Sequence, residues 1–246
     1  MKELKYNVYV ESEKPEALAF NDIVISSRRE LEILRLCLRD KVNFVPKNPK
    51  YNTTFKISAE ADAASLDWDY RKPQEAHAII EKIKMPTEIE KTLASRTETI
   101  SKEYVHKVNV GNVLISVPER FENVLFFRGY NYTDEIKSDH NADHLDGIKL
   151  FEVARQATLA SFHTMGVTFE GVMALTTSCV DFKKYIELDR PYYVQIIPAC
   201  KTDGGCMYSA FAMIQDNQVN TSGFIGAYTF RNRELYLNKR MQNKGA

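Results

Sequence analysis

The sequence predicts an α+β fold in which an antiparallel sheet surrounds one long buried helix. Residues 147–165 begin with a glycine and continue as a helix that is apolar on nearly every side, as buried helices are. Strand-like segments separated by turn residues follow this helix. A long helix followed by an antiparallel meander is the order expected when a sheet wraps around a helix.

The first half of the chain predicts short strands and two helices. Strands are expected at Tyr6–Val10 and Asp22–Ile25, and the spacing of Ser27 and Glu30 is that of a capping box, which predicts that a helix begins there. Residues 43–52 are rich in turn residues. Further elements are predicted as an alternating strand at 53–58 and an amphipathic helix at 73–85 that ends before Pro86.

The second half predicts a sheet and the central helix. A polar loop precedes the helix, and Gly166 stands where a helix commonly stops. Turn residues at 203–205 and 216–217 predict hairpins, and the polar residues 232–246 predict a disordered tail. Strands are predicted at 113–117, 123–130, 169–182, 192–200, 206–215 and 221–230.

Composition excludes several classes of function. The 33 basic and 33 acidic residues balance, so bulk charge does not favour nucleic acid or an anionic membrane as a partner. No apolar stretch is long enough to span a membrane, and no apolar signal segment opens the chain, so we expect a cytoplasmic protein. The four cysteines lack the spacing of metal ligands, so no metal site is expected.

Three polar residues lie on one side of the central helix. Glu152, Arg155 and Gln156 stand at positions i, i+3 and i+4, which a helix brings to the same face. One interpretation is a structural ion pair, which the spacing alone favours. The other is a functional site, because charged residues are rarely buried unless they are paired or used.

The segment around these residues resembles the signature of the A-factor biosynthesis hotdog family. That signature is Asp-His-x-Pro-Gly, an apolar run and then Glu-Ala-Ala-Arg-Gln-Ala. In this chain Asp146 replaces the proline and Val153 replaces the first alanine. The matching positions are Asp143, His144, Gly147, Glu152, Ala154, Arg155, Gln156 and Ala157.

The resemblance extends over residues 101–230. Val105, His106 and Lys107, followed by residues 111–115, are similar to the Val-His-Lys/Arg opening and first strand of the family domain. The resemblance implies a hotdog domain at 98–231, preceded by an N-terminal α+β region at 1–97 and followed by a polar tail at 232–246. The N-terminal region is interpreted as a degenerate hotdog half or an unrelated module.

Only one copy of the signature occurs, whereas many family members carry two domains in tandem. A homodimer, or the N-terminal region, is therefore expected to supply the second half. The resemblance implies an acyl thioester substrate carried on coenzyme A or acyl carrier protein, with no separate cofactor. It also implies transfer of a β-ketoacyl group to the hydroxyl of dihydroxyacetone phosphate.

The resemblance also assigns roles to individual residues. Glu152 would activate the acceptor hydroxyl, in an apolar setting expected to raise its pKa. Arg155 would hold the phosphate or orient Glu152. His144 is a candidate acid/base partner, and the alternative for Asp143 and His144 is that they cap and anchor the entrance of the helix. Gly147 would let a substrate carbonyl approach backbone N–H groups on the side that Glu152 faces. The expected substrate-binding set is Gly147, Gln156, Asp143 and His140.

Two alternatives stay open. The first is a 3-hydroxyacyl-thioester dehydratase or thioesterase, because the dehydratases share the spacing of Gly147, Glu152 and Gln156. Their catalytic histidine would fall at Ser138, so His140 would need a shift of two residues. The second alternative is a non-catalytic protein that binds an acyl ligand. The remaining histidines suggest less: His163 is expected in the core or at its rim, and His77 and His106 have no evident chemical partners.

Overall fold

The computed structural model describes residues 4–46, 48, 69, 72–136, 143–201 and 204–242. These residues form two sheets, one parallel and one antiparallel. The predicted strand at 53–58 and the candidate substrate-binding residue His140 lie outside the described residues.

The N-terminal sheet has three parallel strands. These are β1 (Tyr6–Val10), β2 (Asp22–Ile25) and β3 (Val42–Phe44), in the order β2-β1-β3. Helix α1 (Arg28–Leu38) leads from β2 to β3. The predicted cap is confirmed, because the Ser27 side chain accepts a hydrogen bond from the backbone N–H of Glu30 at 3.2 Å.

The helix predicted at 73–85 is present but shorter, as α2 (Pro73–Ile80). A further helix that was not predicted, α3 (Thr87–Ala94), follows Pro86. Helix α2 ends early because the buried Gln195 side chain donates hydrogen bonds to backbone carbonyls at the end of the helix. The Gln195 Nε2 donates to the carbonyl of Ile80 at 2.6 Å and to that of Ile83 at 3.0 Å.

The C-terminal sheet has six antiparallel strands. Their order is β4-β5-β7-β8-β9-β6. The strands are β4 (Glu119–Phe121), β5 (Val124–Arg128), β6 (Val172–Phe182), β7 (Tyr193–Ala199), β8 (Gly205–Gln215) and β9 (Gln218–Phe230).

The long helix α4 (Gly147–Thr164) packs on one face of this sheet, as predicted. Its buried side includes three small residues, Ala154, Ala157 and Ala160, which are fully buried against the core. Together with the antiparallel sheet, this confirms the α+β hotdog fold. The helix ends at Thr164, and Gly166 two residues later has a φ of +98°, the left-handed conformation expected of a glycine stop.

The N-terminal region covers the opposite face of the same sheet. A second core joins residues of β1, α1 and α2 to outward-facing residues of β7 and β8, among them Tyr193, Ile197 and Ala210. This packing explains why every residue of β7 is buried. The divisions at 97/98 and 231/232 stay a prediction.

Several predicted local features can be compared with the structure. The hairpin at 216–217 is confirmed, since Asp216 and Asn217 have φ of +52° and +59°, as a tight hairpin turn requires. The strand predicted at 113–117 is reduced to isolated bridges, because the N–H of Leu114 is taken by the Gln156 side chain at 2.8 Å.

The disordered tail predicted at 232–246 is wrong for most of its length. Residues Arg233–Gln242 form helix α5, which begins where the Asn232 side chain accepts a hydrogen bond from the N–H of Leu235 at 2.9 Å. Tyr236 also packs edge to face against Phe230. Among the described helices, none combines the length and apolar character needed to cross a bilayer.

Candidate active site

The carboxylate of Glu152 is the centre of a polar cluster on α4. Arg155 donates two hydrogen bonds to it, from Nε to Oε2 and from Nη2 to Oε1, each 2.7 Å long. Gln156 Nε2 donates to Oε1 at 2.9 Å. The predicted shared face of these three residues is therefore present, and the Arg155 pair is bidentate, the geometry that fixes a guanidinium most firmly.

A fourth residue, Lys107, reaches this carboxylate from another part of the chain. Its Nζ lies 2.9 Å from Glu152 Oε1, and the side chains of Lys107 and Glu152 are only 8% and 12% exposed. Lys107 also forms an ion pair with Glu135. We call Lys107, Glu135, Glu152, Arg155 and Gln156 the Glu152 cluster.

Gln156 ties the cluster to the backbone that covers it. This fully buried side chain donates from Nε2 to the carbonyl of Asn112 at 2.8 Å, and its Oε1 accepts from the N–H of Leu114 at 2.8 Å. With the bond to Glu152, both Nε2 hydrogens are used. In the absence of substrate Gln156 therefore anchors residues 112–114 to α4.

The donors around Glu152 reverse the expected direction of its pKa shift. Burial alone raises the pKa, but the hydrogen bonds from Arg155, Lys107 and Gln156 outweigh it and lower the pKa to about 2. The expectation of a raised pKa was therefore wrong. Glu152 is thus an anion at neutral pH, and it holds Arg155 and Lys107 in place.

Two histidines lie beside the cluster and contact each other. His106 Nε2 is 2.9 Å from His163 Nε2, and His163 Nδ1 is 2.9 Å from the carbonyl of Val167. A carbonyl can only accept, so neutral His163 carries its proton on Nδ1 and accepts from His106 Nε2. Burial lowers both pKa values, and His163 and Arg155 lower that of His106 further.

His163 is buried, as expected, and its ring stacks on Phe169 at 4.2 Å. The expectation that His106 has no chemical partner was wrong. The sequence held one usable signal, because His106 and Lys107 are the second and third residues of the Val-His-Lys opening. Glu135 carried no such signal.

Three other candidate residues lie at a separate place, around the start of α4. His144 Nδ1 is 2.8 Å from the carboxylate of Asp143, and its ring lies against Tyr185 with the ring centres 4.3 Å apart. Gly147 is the first residue of α4. His144 and Gly147 both line a pocket of about 790 Å³.

This pocket combines apolar and charged side chains. Leu150 and Phe182 supply apolar surface, Lys183, Lys184 and Arg190 supply positive charge, and Glu187 and Asp216 supply negative charge. Arg190 is paired with Asp216 and Lys183 with Glu81, so an anionic end of a ligand would compete with these carboxylates, while an acyl chain would contact the apolar surface.

Within one chain, the pocket and the Glu152 cluster face different directions. Glu152 follows Gly147 by five residues, which is about 140° around a helix. The residues that line the pocket include Gly147 but neither Glu152 nor Arg155. The sequence had suggested that His144, Asp143 and Gly147 act at one site with Glu152. The structure instead places these three residues apart from Glu152.

Comparison with known proteins places this arrangement in a family. The sequence model of the A-factor biosynthesis hotdog domain family matches residues 89–219 of this chain. No curated protein matches the chain.

Solved structures are similar only at low identity. An uncharacterized protein from Pyrococcus horikoshii is 17% identical, covers 56% of this chain and 98% of its own, and has a TM-score of 0.40. A hypothetical thioesterase with coenzyme A from Streptococcus pneumoniae is 13% identical, with coverages of 48% and 87% and a TM-score of 0.38. A protein from Streptococcus mutans bound to acetyl CoA is 11% identical, with coverages of 52% and 97% and a TM-score of 0.39.

The family match includes the residues of both candidate places, the Glu152 cluster and the start of α4. It extends over more than half of the 246 residues. The chain therefore belongs to the A-factor biosynthesis hotdog domain family.

Proposed function

We propose that this protein is an acyltransferase that moves a β-ketoacyl group from an acyl thioester to the hydroxyl of a phosphorylated acceptor such as dihydroxyacetone phosphate. The observation that carries the proposal is the pair of cations, Arg155 and Lys107, held side by side by Glu152. A planar guanidinium next to an ammonium is suited to a phosphate ester.

The acceptor phosphate binds at Arg155 and Lys107. Arg155 uses Nε and Nη2 on Glu152, and no partner for its Nη1 is found among the described residues. Its side chain is 28% exposed, so a ligand can reach it from solvent.

Phosphate binding also gives Glu152 a catalytic role. A phosphate with nearly two negative charges shares the donors that now lower the Glu152 pKa, and it repels the carboxylate. Both effects raise the pKa of Glu152 from about 2 toward the range in which it accepts the hydroxyl proton.

The thioester binds in the pocket at the start of α4. The backbone N–H groups of the first turn, beginning at Gly147, lie at the positive end of an 18-residue helix and polarise the thioester carbonyl. Lys183, Lys184 and Arg190 bind the phosphates of coenzyme A or of the acyl carrier protein arm.

The proposal includes a homodimer. Within one chain the pocket and the Glu152 cluster face different directions. A second copy of the chain therefore supplies the Glu152 cluster that completes each pocket. Strand β6 (Val172–Phe182) is at the edge of the sheet, with one side unpaired among the described residues, and its residues are exposed or half-buried, so it is available for such pairing.

The reaction balances without a further cofactor. The acceptor oxygen attacks the thioester carbonyl carbon while its proton passes to Glu152, and the resulting oxyanion is bound by the N–H groups at Gly147. Collapse of this intermediate breaks the C–S bond, and the thiolate leaves as a thiol with the proton from Glu152.

Turnover measured by mass spectrometry tests the proposal. β-Ketoacyl and 3-hydroxyacyl thioesters are supplied with and without dihydroxyacetone phosphate to the wild type and to Glu152→Gln. Acceptor-dependent ester that is lost in the variant supports the proposal. Enoyl product from the 3-hydroxyacyl thioester, or acid released without acceptor, would instead indicate a dehydratase or a thioesterase.

One observation favours a second candidate function, a non-catalytic acyl-ligand protein. Glu152 is bound by three donor side chains, as a purely structural anion would be. This candidate predicts acyl ligand retained through purification and no turnover of either thioester by a folded protein.

A further inference from the structure

Lys107 forms an ion pair with the half-exposed Glu135, and the charge of Glu135 also acts on Arg155. We infer that these two cations form a site for a phosphate monoester, and that Glu135 fills this site until the phosphate displaces it. The inference rests on the proposed function and deepens it, because it names Glu135 as an internal competitor for the acceptor phosphate.

The two carboxylates on Lys107 are held very differently. Glu152 is 12% exposed and is bound by Arg155, Gln156 and Lys107 together. Glu135 is 47% exposed, and Lys107 is its ion-pair partner. A ligand can therefore displace the carboxylate of Glu135, which is already partly in solvent. It cannot displace the carboxylate of Glu152, which is buried and held by three donors.

Glu135 also acts on Arg155. Hydrogen bonds to Glu152 are the main reason that the Arg155 pKa is raised, and the charge of Glu135 adds to this effect. The Glu135 charge thus acts on both cations, by an ion pair with Lys107 and by electrostatic attraction to Arg155. In the inferred complex a phosphate takes over both of these interactions.

The local charges explain selection of a phosphorylated acceptor. Lys107 and Arg155 carry two positive charges, Glu152 cancels one of them, and Glu135 cancels the other. His106 adds none at neutral pH, because burial lowers its pKa. An uncharged hydroxy compound cannot replace the Glu135 charge, but a phosphate dianion replaces it and brings additional charge and acceptor oxygens.

Calorimetric binding of inorganic phosphate and dihydroxyacetone phosphate to the full chain tests the inference, with unphosphorylated dihydroxyacetone as the negative probe. An ion pair with a half-exposed partner is worth up to about 1 kcal/mol, so Glu135→Gln should bind phosphate about fivefold more tightly. Glu88→Gln is the matched control, because it removes the same charge from an exposed pair with Lys91 and should leave binding unchanged.

Variants of Lys107 test the second cation. Lys107→Met should lose phosphate affinity by more than about tenfold, and Lys107→Arg should retain most of it, since the charge is kept. If Lys107→Met does not fold, the phosphate affinity of Glu135→Gln alone tests the inference. Phosphate affinity that is the same in Glu135→Gln and Glu88→Gln, or wild-type affinity in folded Lys107→Met, would overturn the inference.

Binding and turnover separate this inference from the proposed function. Phosphate binding that depends on Glu135 and Lys107, in a protein that turns over no thioester, would sustain the site and contradict the acyltransferase. Acceptor-dependent turnover in a protein whose phosphate affinity does not respond to Glu135→Gln would sustain the acyltransferase and contradict this inference.

Discussion

Replacing Glu152 by glutamine should destabilise the fold by roughly 3 kcal/mol at neutral pH. The Glu152 pKa falls from its ordinary value of 4.5 to about 2 in the folded protein. Each pKa unit corresponds to about 1.4 kcal/mol, so the ionised carboxylate contributes roughly 3 kcal/mol to the free energy of unfolding. This agrees with the cost of about 3–5 kcal/mol for breaking a buried ion pair by removing one partner.

The same change should alter the pH dependence of stability. Because the folded pKa lies below that of the unfolded chain, the contribution is complete above about pH 4.5 and is lost as the pH falls toward 2. At pH 3 the difference between wild type and Glu152→Gln should therefore shrink to less than half its value at pH 7.

Urea unfolding followed by circular dichroism at pH 7, 5, 4 and 3 measures this difference. Glu88→Gln, which breaks an exposed ion pair, is the control and should stay within about 0.5 kcal/mol of wild type. A difference for Glu152→Gln below about 1 kcal/mol at pH 7, or one that does not change with pH, would refute the reasoning.

Two further variants test the surroundings of the cluster. Gln156→Ala leaves the carbonyl of Asn112 and the N–H of Leu114 without their partner, so it should lower the free energy of unfolding by about 2–4 kcal/mol in urea titrations; a loss below about 1 kcal/mol would contradict its anchoring role. His163→Phe removes a neighbour that lowers the His106 pKa, so that pKa should rise in an NMR titration, and an unchanged value would contradict the contact.

Features of the fold that depend on local patterns could be predicted from the sequence. Helix α4 and the strands after it follow from apolar periodicity and turn residues, and the cap at Ser27 follows from spacing alone. Features set by distant partners could not be predicted. The helix predicted at 73–85 stops at Ile80 because of the Gln195 side chain.

The candidate site divides in the same way. Glu152, Arg155 and Gln156 are three and four residues apart on one helix, so the sequence places them together. Lys107 and Glu135 come from other segments, and spacing does not indicate that they meet. The predicted direction of the Glu152 pKa failed because hydrogen bonds from Arg155, Lys107 and Gln156 together outweigh burial, and only Lys107 comes from a distant segment.

The most direct test of the acyltransferase account is the rate of ester formation from a β-ketoacyl thioester by wild type and Arg155→Ala. Each enzyme is given dihydroxyacetone phosphate and, separately, unphosphorylated dihydroxyacetone. The account predicts that wild type strongly prefers the phosphorylated acceptor, and that folded Arg155→Ala binds the thioester normally but loses this preference. Equal use of both acceptors by wild type, or an unchanged preference in the variant, would contradict it.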